Sequence, residues 1–399
     1  MLELLPAPPV DPLWDLTAEY AADPRPERLD LVLGVYRDDS GATPVMAAVR
    51  EAETRLAERA ESKEYRGLSG NTRFNRSMQE LILGAGIPAE RAVTVQTVAG
   101  TGALRLLADL VRQSYPGTTV WISDPAYVNH RPILEAAGLK VRTYALGDGA
   151  DLVDGLRAAR RDDVVLLQGC CHNPTGVDPT PEEWRALADL AARNGWVPLI
   201  DLAYHGLGDG LEADLAATRM LAARLPEVLI AVSCSKNFGL YADRTGCAMV
   251  LSPSRAALRQ VETTLQNAAR TLYSMPPEHG AAVVATILQD EALHALWRTE
   301  LDTMRTRIAG NRAALAGRLK ALGRDLEAAA LSHQKGMFST LPLTPDQMRR
   351  LRRGFAVYGT AGGRINIAGL TPAHLPHLAD SLAAVLDAHP ARQDAPSAM

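Results

Sequence analysis

The stretch VLIAVSCSKNFGLYADRTGCAMVL, residues 228–251, decides the fold. Two apolar runs, VLIAVS (228–233) and GCAMVL (246–251), flank a polar link that carries Lys236 and Arg244. Short apolar runs bounded by turn-forming residues read as buried strands. The lysine is a specific choice, because the chain holds 37 arginines and only five lysines. The other four, Lys63, Lys140, Lys320 and Lys335, sit in polar or helix-like surroundings. Lys236 alone follows an apolar run, with Ser233 and Ser235 ahead of it.

Working outward, the same pattern recurs. Strands are expected at AVTVQT (92–97), TVWISD (119–124), KVRTYAL (140–146), DVVLLQG (163–169) and WVPLID (196–201). Amphipathic segments such as ALRLLADLVRQ and PEEWRALADLAARNG lie between them. Such alternation predicts an α/β fold with a mostly parallel sheet covered on both faces. A long helix over about 290–322 follows, then strand-like GMFSTL, FAVYG and GRINIAG, and a last helix, HLPHLADSLAAVLDAH. These pieces suggest a smaller α+β domain, and residues 390–399 read as a loose tail.

Bulk properties narrow the function. A length of 399 residues suggests two domains. A net charge of −4 leaves no basic footprint for nucleic acid. No apolar run approaches a membrane span, and the proline-broken N-terminus does not read as a signal peptide. Four cysteines without zinc spacing suggest neither a disulfide framework nor a metal site. A reduced, cytoplasmic enzyme is expected.

Ligands bind outside the carboxyl ends of strands in an open parallel sheet. Those ends carry Asn173 after DVVLLQG, Asp201 and Tyr204 after WVPLID, Tyr127 after TVWISDP, and Ser233, Ser235 and Lys236 after VLIAVS. Gly100 and Thr101 lie in a turn that opens a helix after AVTVQT. A bare helix N-terminus with serines and Arg244 suits a phosphate. A lysine amine can bond a carbonyl. A carboxylate can hold a pyridinium nitrogen. Phosphate, aldehyde and pyridine together specify pyridoxal 5′-phosphate. No P-loop is present, and no G-x-G-x-x-G follows a strand.

At these residues the sequence resembles the class I aminotransferases, in their aspartate and aromatic amino acid branch. The shared stretches include GVYRDDSGATPV, GCCHNPTG, DLAYHG, SKNFGLYADRTG, ARTLYSMPPEHGAAVVATIL, GMFS and GRINIAG, in order from about Asp11 to Leu386. The resemblance implies a fold-type I pyridoxal-phosphate transferase with a seven-stranded large domain over 45–303. Residues 1–44 and 304–399 then form the small domain. Lys236 matches the lysine that bonds the cofactor and moves the proton. Asp201 matches the partner of the ring nitrogen, and Tyr204 and Asn173 match the donors to the ring hydroxyl. Ser233, Ser235, Arg244, Gly100 and Thr101 match the phosphate cup. Tyr65 matches a phosphate contact from the second subunit of a homodimer with shared sites. Arg364 matches the clamp on the substrate α-carboxylate, Gly34 a backbone contact near it, and Arg270 the arginine that holds a distal carboxylate.

Departures from the family pattern bear on specificity. Tyr127 stands where a tryptophan usually stacks on the cofactor. Leu272 and Met275 replace amides near the distal arginine, Arg66 replaces an apolar residue, and Trp14 and Leu33 occupy the entrance segment. A greasier distal pocket favours an aromatic side chain. The expectation is an amino transfer between an aromatic or broad-range L-amino acid and a 2-oxo acid such as 2-oxoglutarate. Aspartate aminotransferase is the alternative, and a lyase on the same fold a further one. A regulator with an aminotransferase-like domain is disfavoured, since only about 45 residues precede the large domain and show no helix-turn-helix pattern. Read singly, Asp201 is a helix cap and Lys236, Arg364 and Arg270 are surface charges. Their company reverses that reading. Cys170 and Cys171 are expected as structural thiols, and His130 and His172 as packed, hydrogen-bonded side chains.

Overall fold

The computed structural model describes residues 2–5, 12–147 and 151–387. The expected tail, and the last two residues of the expected final helix, lie outside them. The chain divides into two compact units, one of Pro44–Thr306 and one of Met1–Thr43 with Arg307–Met399. The helix Glu291–Ala321 contributes its first part to the larger unit and its second to the smaller.

The larger unit is built on seven strands: β1 (Ala92–Val98), β2 (Thr119–Asp124), β3 (Lys140–Ala145), β4 (Val164–Gln168), β5 (Val197–Leu202), β6 (Val228–Ser233) and β7 (Thr245–Leu251). All seven expected strands form, with ends within one residue of the reading. They order as β1-β7-β6-β5-β4-β2-β3. Neighbours are parallel except where β7 pairs antiparallel with both β1 and β6. β6 and β7 are buried along their whole length, which is why they read as unbroken apolar runs. Helix Ala99–Ser114 packs on β6 and β7, and helix Arg255–Leu272 on β1. Their apolar faces, including Leu104, Leu107, Val111 and Leu265, close the core over Val95, Ala231 and Ala248.

Local chemistry sets the helix ends. Thr180 caps Pro181–Asn194 with a full capping box to Glu183, and Pro181 stands at the first helical position. Gly195 ends it at φ +80°, a conformation open to glycine without strain. The helices Ala47–Arg59, Thr72–Leu83, Arg255–Leu272 and Glu278–Gln289 lie outside the strand-helix alternation and were not anticipated by it.

Among its described residues the smaller unit has two two-stranded sheets. Leu29–Asp30 pairs in parallel with Val357–Tyr358, and Phe338–Thr340 pairs antiparallel with Arg364–Asn366. Leu29–Asp30 is too short to show a period in sequence. Helices Pro345–Phe355 and His374–Asp387 pack together in this unit.

Candidate active site

The antiparallel β7 builds the first half of the site. In register, Val98 of β1 lies opposite Thr245, and Ser233 of β6 opposite Gly246. Arg244 therefore reaches the edge where β1 and β6 end. Ala99 N–H donates to the Arg244 carbonyl at 3.0 Å, and both residues hold positive φ, +55° and +54°. Cys234 N–H donates to the Thr245 carbonyl at 3.0 Å. Arg244 Nη1 donates to Ser235 Oγ at 3.4 Å and to the Tyr241 carbonyl at 2.9 Å. Ser235 N–H donates to Ser233 Oγ at 3.2 Å. Gly100 and Thr101 do not form the expected turn. β1 ends at Val98, the chain turns at the left-handed Ala99, and both residues belong to the first turn of helix Ala99–Ser114. A Cβ at Gly100 would sit 3.1 Å from Ser233 Cβ, so the glycine keeps this helix end bare. Its free N–H groups and the positive end of its dipole face the same edge as the serines and Arg244.

The second half lies where the sheet reverses its winding. β2 sends the chain outward to β3, and β4 sends it the other way to β5. Asp201 sits one residue from the end of β5, buried, so it is a strand residue and not a helix cap. His130 Nε2 bonds Asp201 Oδ2 at 2.8 Å. An ionised carboxylate only accepts, so opposite one the ring donates through Nε2. The Tyr127 ring meets His130 edge-on, with centroids 5.2 Å apart. Asn173 Nδ2 donates to Tyr204 Oη at 3.2 Å. Lys236 is half-buried, its Nζ 4.8 Å from the centroid of the Tyr241 ring.

The other candidate residues have surroundings of their own. Tyr65 is 93% exposed. Arg270 is exposed near the end of its helix and donates to Ser274 Oγ at 2.6 Å. Arg66 faces Glu61 at 3.5 Å and Glu278 at 3.4 Å. In the smaller unit, Arg364 is buried, donates from Nη2 to the Val32 carbonyl at 2.7 Å, and lies 4.4 Å above the Phe338 ring. A Cβ at Gly34 would fall 2.5 Å from Phe338 Cζ, so only glycine lets that ring lie there.

Cys170, Cys171 and Asp214 bring one ligand-type atom each within 4.8 Å. The Asp214 oxygens already accept from the N–H groups of Gly206, Gly208 and Asp209. A hydrogen bond to Cys171 and burial push the Cys170 thiol well up, which keeps it protonated. His172 is packed as expected, between Ser123 and Thr175, and burial holds it down to about 3. His130 is more than a packing residue, because it bonds Asp201. Two further residues escaped the sequence reading. Gln168, the last residue of β4, accepts from Asn173 N–H and donates to the Asn173 carbonyl, both at 2.8 Å. His205 bonds Asn237 behind the site. A polar residue at a strand end, or next to a reactive one, was the available signal.

A bare helix end with serines and an arginine, a buried carboxylate, a pair of hydroxyl and amide donors, and a lysine fit the phosphate, ring nitrogen, ring hydroxyl and aldehyde of pyridoxal 5′-phosphate. Fold and site define a fold-type I enzyme of that cofactor. The chain belongs to the class I and II aminotransferases, a family that matches residues 26–382. It is 43% identical to an aspartate aminotransferase of Salmonella typhi over 97% of this chain and all of that one. It is 44% identical to an aromatic-amino-acid aminotransferase of Paracoccus denitrificans over 93% of this chain and 96% of that one. Its fold is similar to an aromatic-amino-acid aminotransferase from Burkholderia pseudomallei covalently bound to pyridoxal phosphate. The two share a TM-score of 0.93 and 38% identity, over 97% and 99% of the chains. The protein is a pyridoxal-phosphate-dependent amino-acid aminotransferase.

Proposed function

We propose that the enzyme moves the amino group of an aromatic or broad-range L-amino acid to a 2-oxo acid such as 2-oxoglutarate, in two half-reactions. The observation that carries this reading is the apolar pair Leu272 and Met275, which follow Arg270 in sequence, with Leu272 45% exposed. Bound pyridoxal phosphate supplies an aldehyde that condenses with amines and a ring that accepts electron density from the α-carbon. With the cofactor bound, Lys236 would take the proton from the substrate α-carbon and deliver it to the carbon that carried the aldehyde, two atoms away, as general base and then acid. Asp201, held by His130, keeps a proton at the ring nitrogen. Asn173 and Tyr204 act at the ring hydroxyl. Gly100, Thr101, Ser233, Ser235 and Arg244 hold the phosphate. Tyr127 stacks against the ring. Arg364 and Gly34 bind the α-carboxylate, and Arg270 receives a distal carboxylate.

We extend the reading to a homodimer in which Tyr65 serves the partner's phosphate. The 93% exposure of an aromatic side chain supports it. A cytoplasmic site of action is supported by four buried cysteines held as thiols. Among the described residues no helix is long and apolar enough to cross a membrane. Absorbance of the cofactor, followed while each of a panel of amino acids is added, tests the substrate. Phenylalanine, tyrosine and tryptophan are expected to convert it at least as efficiently as aspartate. A large aspartate preference would select the alternative, an aspartate aminotransferase.

A further inference from the structure

Directly after Tyr204 comes His205, and directly after Lys236 comes Asn237. Both are fully buried. The Asn237 side-chain nitrogen bonds His205 Nε2 at 2.7 Å, across 32 residues of sequence. An amide nitrogen only donates, so the imidazole accepts through Nε2 and carries its proton on Nδ1. Burial holds His205 down to about 4, so the ring stays a neutral acceptor near pH 7. On the other side, the Asn237 carbonyl accepts from Trp297 Nε1 at 2.8 Å. Trp297 is fully buried and stacks on Phe238, with centroids 4.5 Å apart and planes 6° apart. The residue after Lys236 is thus held by its side chain and by its backbone.

A lysine side chain has four rotatable carbons, so its amine is only as well placed as its backbone. We propose that His205 is a positioning residue that, through Asn237, locks the Lys236 backbone in register with Tyr204. The device sets the amine against the reacting carbon, while Trp297 and Phe238 brace it from behind. A displacement of about 1 Å in such a site costs on the order of 100-fold in rate. The inference rests on the proposed roles of Lys236 and Tyr204.

The test uses the full-length enzyme loaded with cofactor. Borohydride reduction and peptide mapping first locate the lysine bonded to the cofactor. Absorbance titration then gives the pKa of that bond, and single turnovers with phenylalanine give the rate. His205→Leu removes the acceptor. It is expected to shift the titration by about half a unit or more and to slow the single turnover on the order of tenfold, with cofactor still bound. His205→Gln, which offers Asn237 an acceptor, is expected to restore both. Trp297→Phe keeps the stacked ring and removes only the N–H donor, and is expected to shift the titration as well. If His205→Leu does not fold, Trp297→Phe and His205→Gln decide the outcome. A lower melting temperature with unchanged titration and turnover would mean a merely structural pair and overturn the inference. An adduct on a lysine other than Lys236 would overturn the proposed site and this inference together.

Discussion

At the residue scale, the roles proposed for Lys236 and Arg244 account for a lysine in a chain that otherwise uses arginine. A guanidinium stays protonated near neutral pH and is a poor partner for an aldehyde, whereas an ammonium can give up its proton. Arg244, eight residues later, stands where a permanent charge and a forked donor suit a phosphate. Gln168 makes a complementary point about neutral groups. Its amide matches both backbone groups of Asn173, which in turn bonds Tyr204. Gln168→Ala leaves a buried N–H and a buried C=O without that partner, at roughly 1–3 kcal/mol for each group. The variant is expected to melt lower and to bind cofactor more weakly. Thermal denaturation with and without added cofactor measures both, and a melting temperature unchanged in both states would rule this role out.

Among the elements, β7 matters most. Its reversed direction carries Arg244 back to the end of β1, next to the N-terminus of helix Ala99–Ser114. Gly246 permits the contact: a Cβ there would lie 2.4 Å from the Val232 carbonyl oxygen and 2.7 Å from the Ala99 carbonyl carbon. Both are backbone atoms and cannot rotate away. Gly246→Ala is expected to destabilise the fold by about 3 kcal/mol and to loosen the phosphate end of the site. Urea unfolding and the cofactor dissociation rate check it, and wild-type values for both would show that β6 and helix Ala99–Ser114 can part freely. The strands were legible because each is a short apolar run between turn residues. The helix start at Ala99 was not, because glycines at 100 and 102 read locally as a turn. In the fold they lie in a helix packed against β6 and β7.

Across the molecule, three buried groups set an acid response. Burial holds His172 down to about 3 and His205 down to about 4, against an ordinary 6.5. Burial raises Asp214 to about 6 from 3.8. Each histidine contributes stability that is present above pH 6.5 and lost as pH falls through its folded value. Asp214 contributes stability that is full below pH 3.8 and lost as pH rises through about 6. Two histidines against one carboxylate leave a net uptake of protons on unfolding between about pH 4.5 and 6, and burial, which also lowers His294 and His374, adds in the same direction. Guanidinium unfolding at several pH values is expected to show stability falling on acidification, more gently in His205→Gln. A flat or rising profile would mean another group outweighs these three. At the same scale, sedimentation velocity is expected to find a dimer; a monomer that keeps full activity would refute the role proposed for Tyr65.

The sequence by itself determined the α/β class and the seven strands and pointed to the candidate site groups, because strand periodicity and residue chemistry are local properties. Lys236, Asp201, Asn173, Tyr204 and Arg244 all lie at or just beyond strand ends, where an open sheet exposes side chains to a ligand. Only the tertiary structure decided who holds whom. His130 meets Asp201 across 71 residues, Asn237 meets His205 across 32, and Trp297 meets Asn237 across 60. No local pattern encodes such pairs. They follow from the order and direction in which the strands pack, and from the need of each buried polar group for a partner.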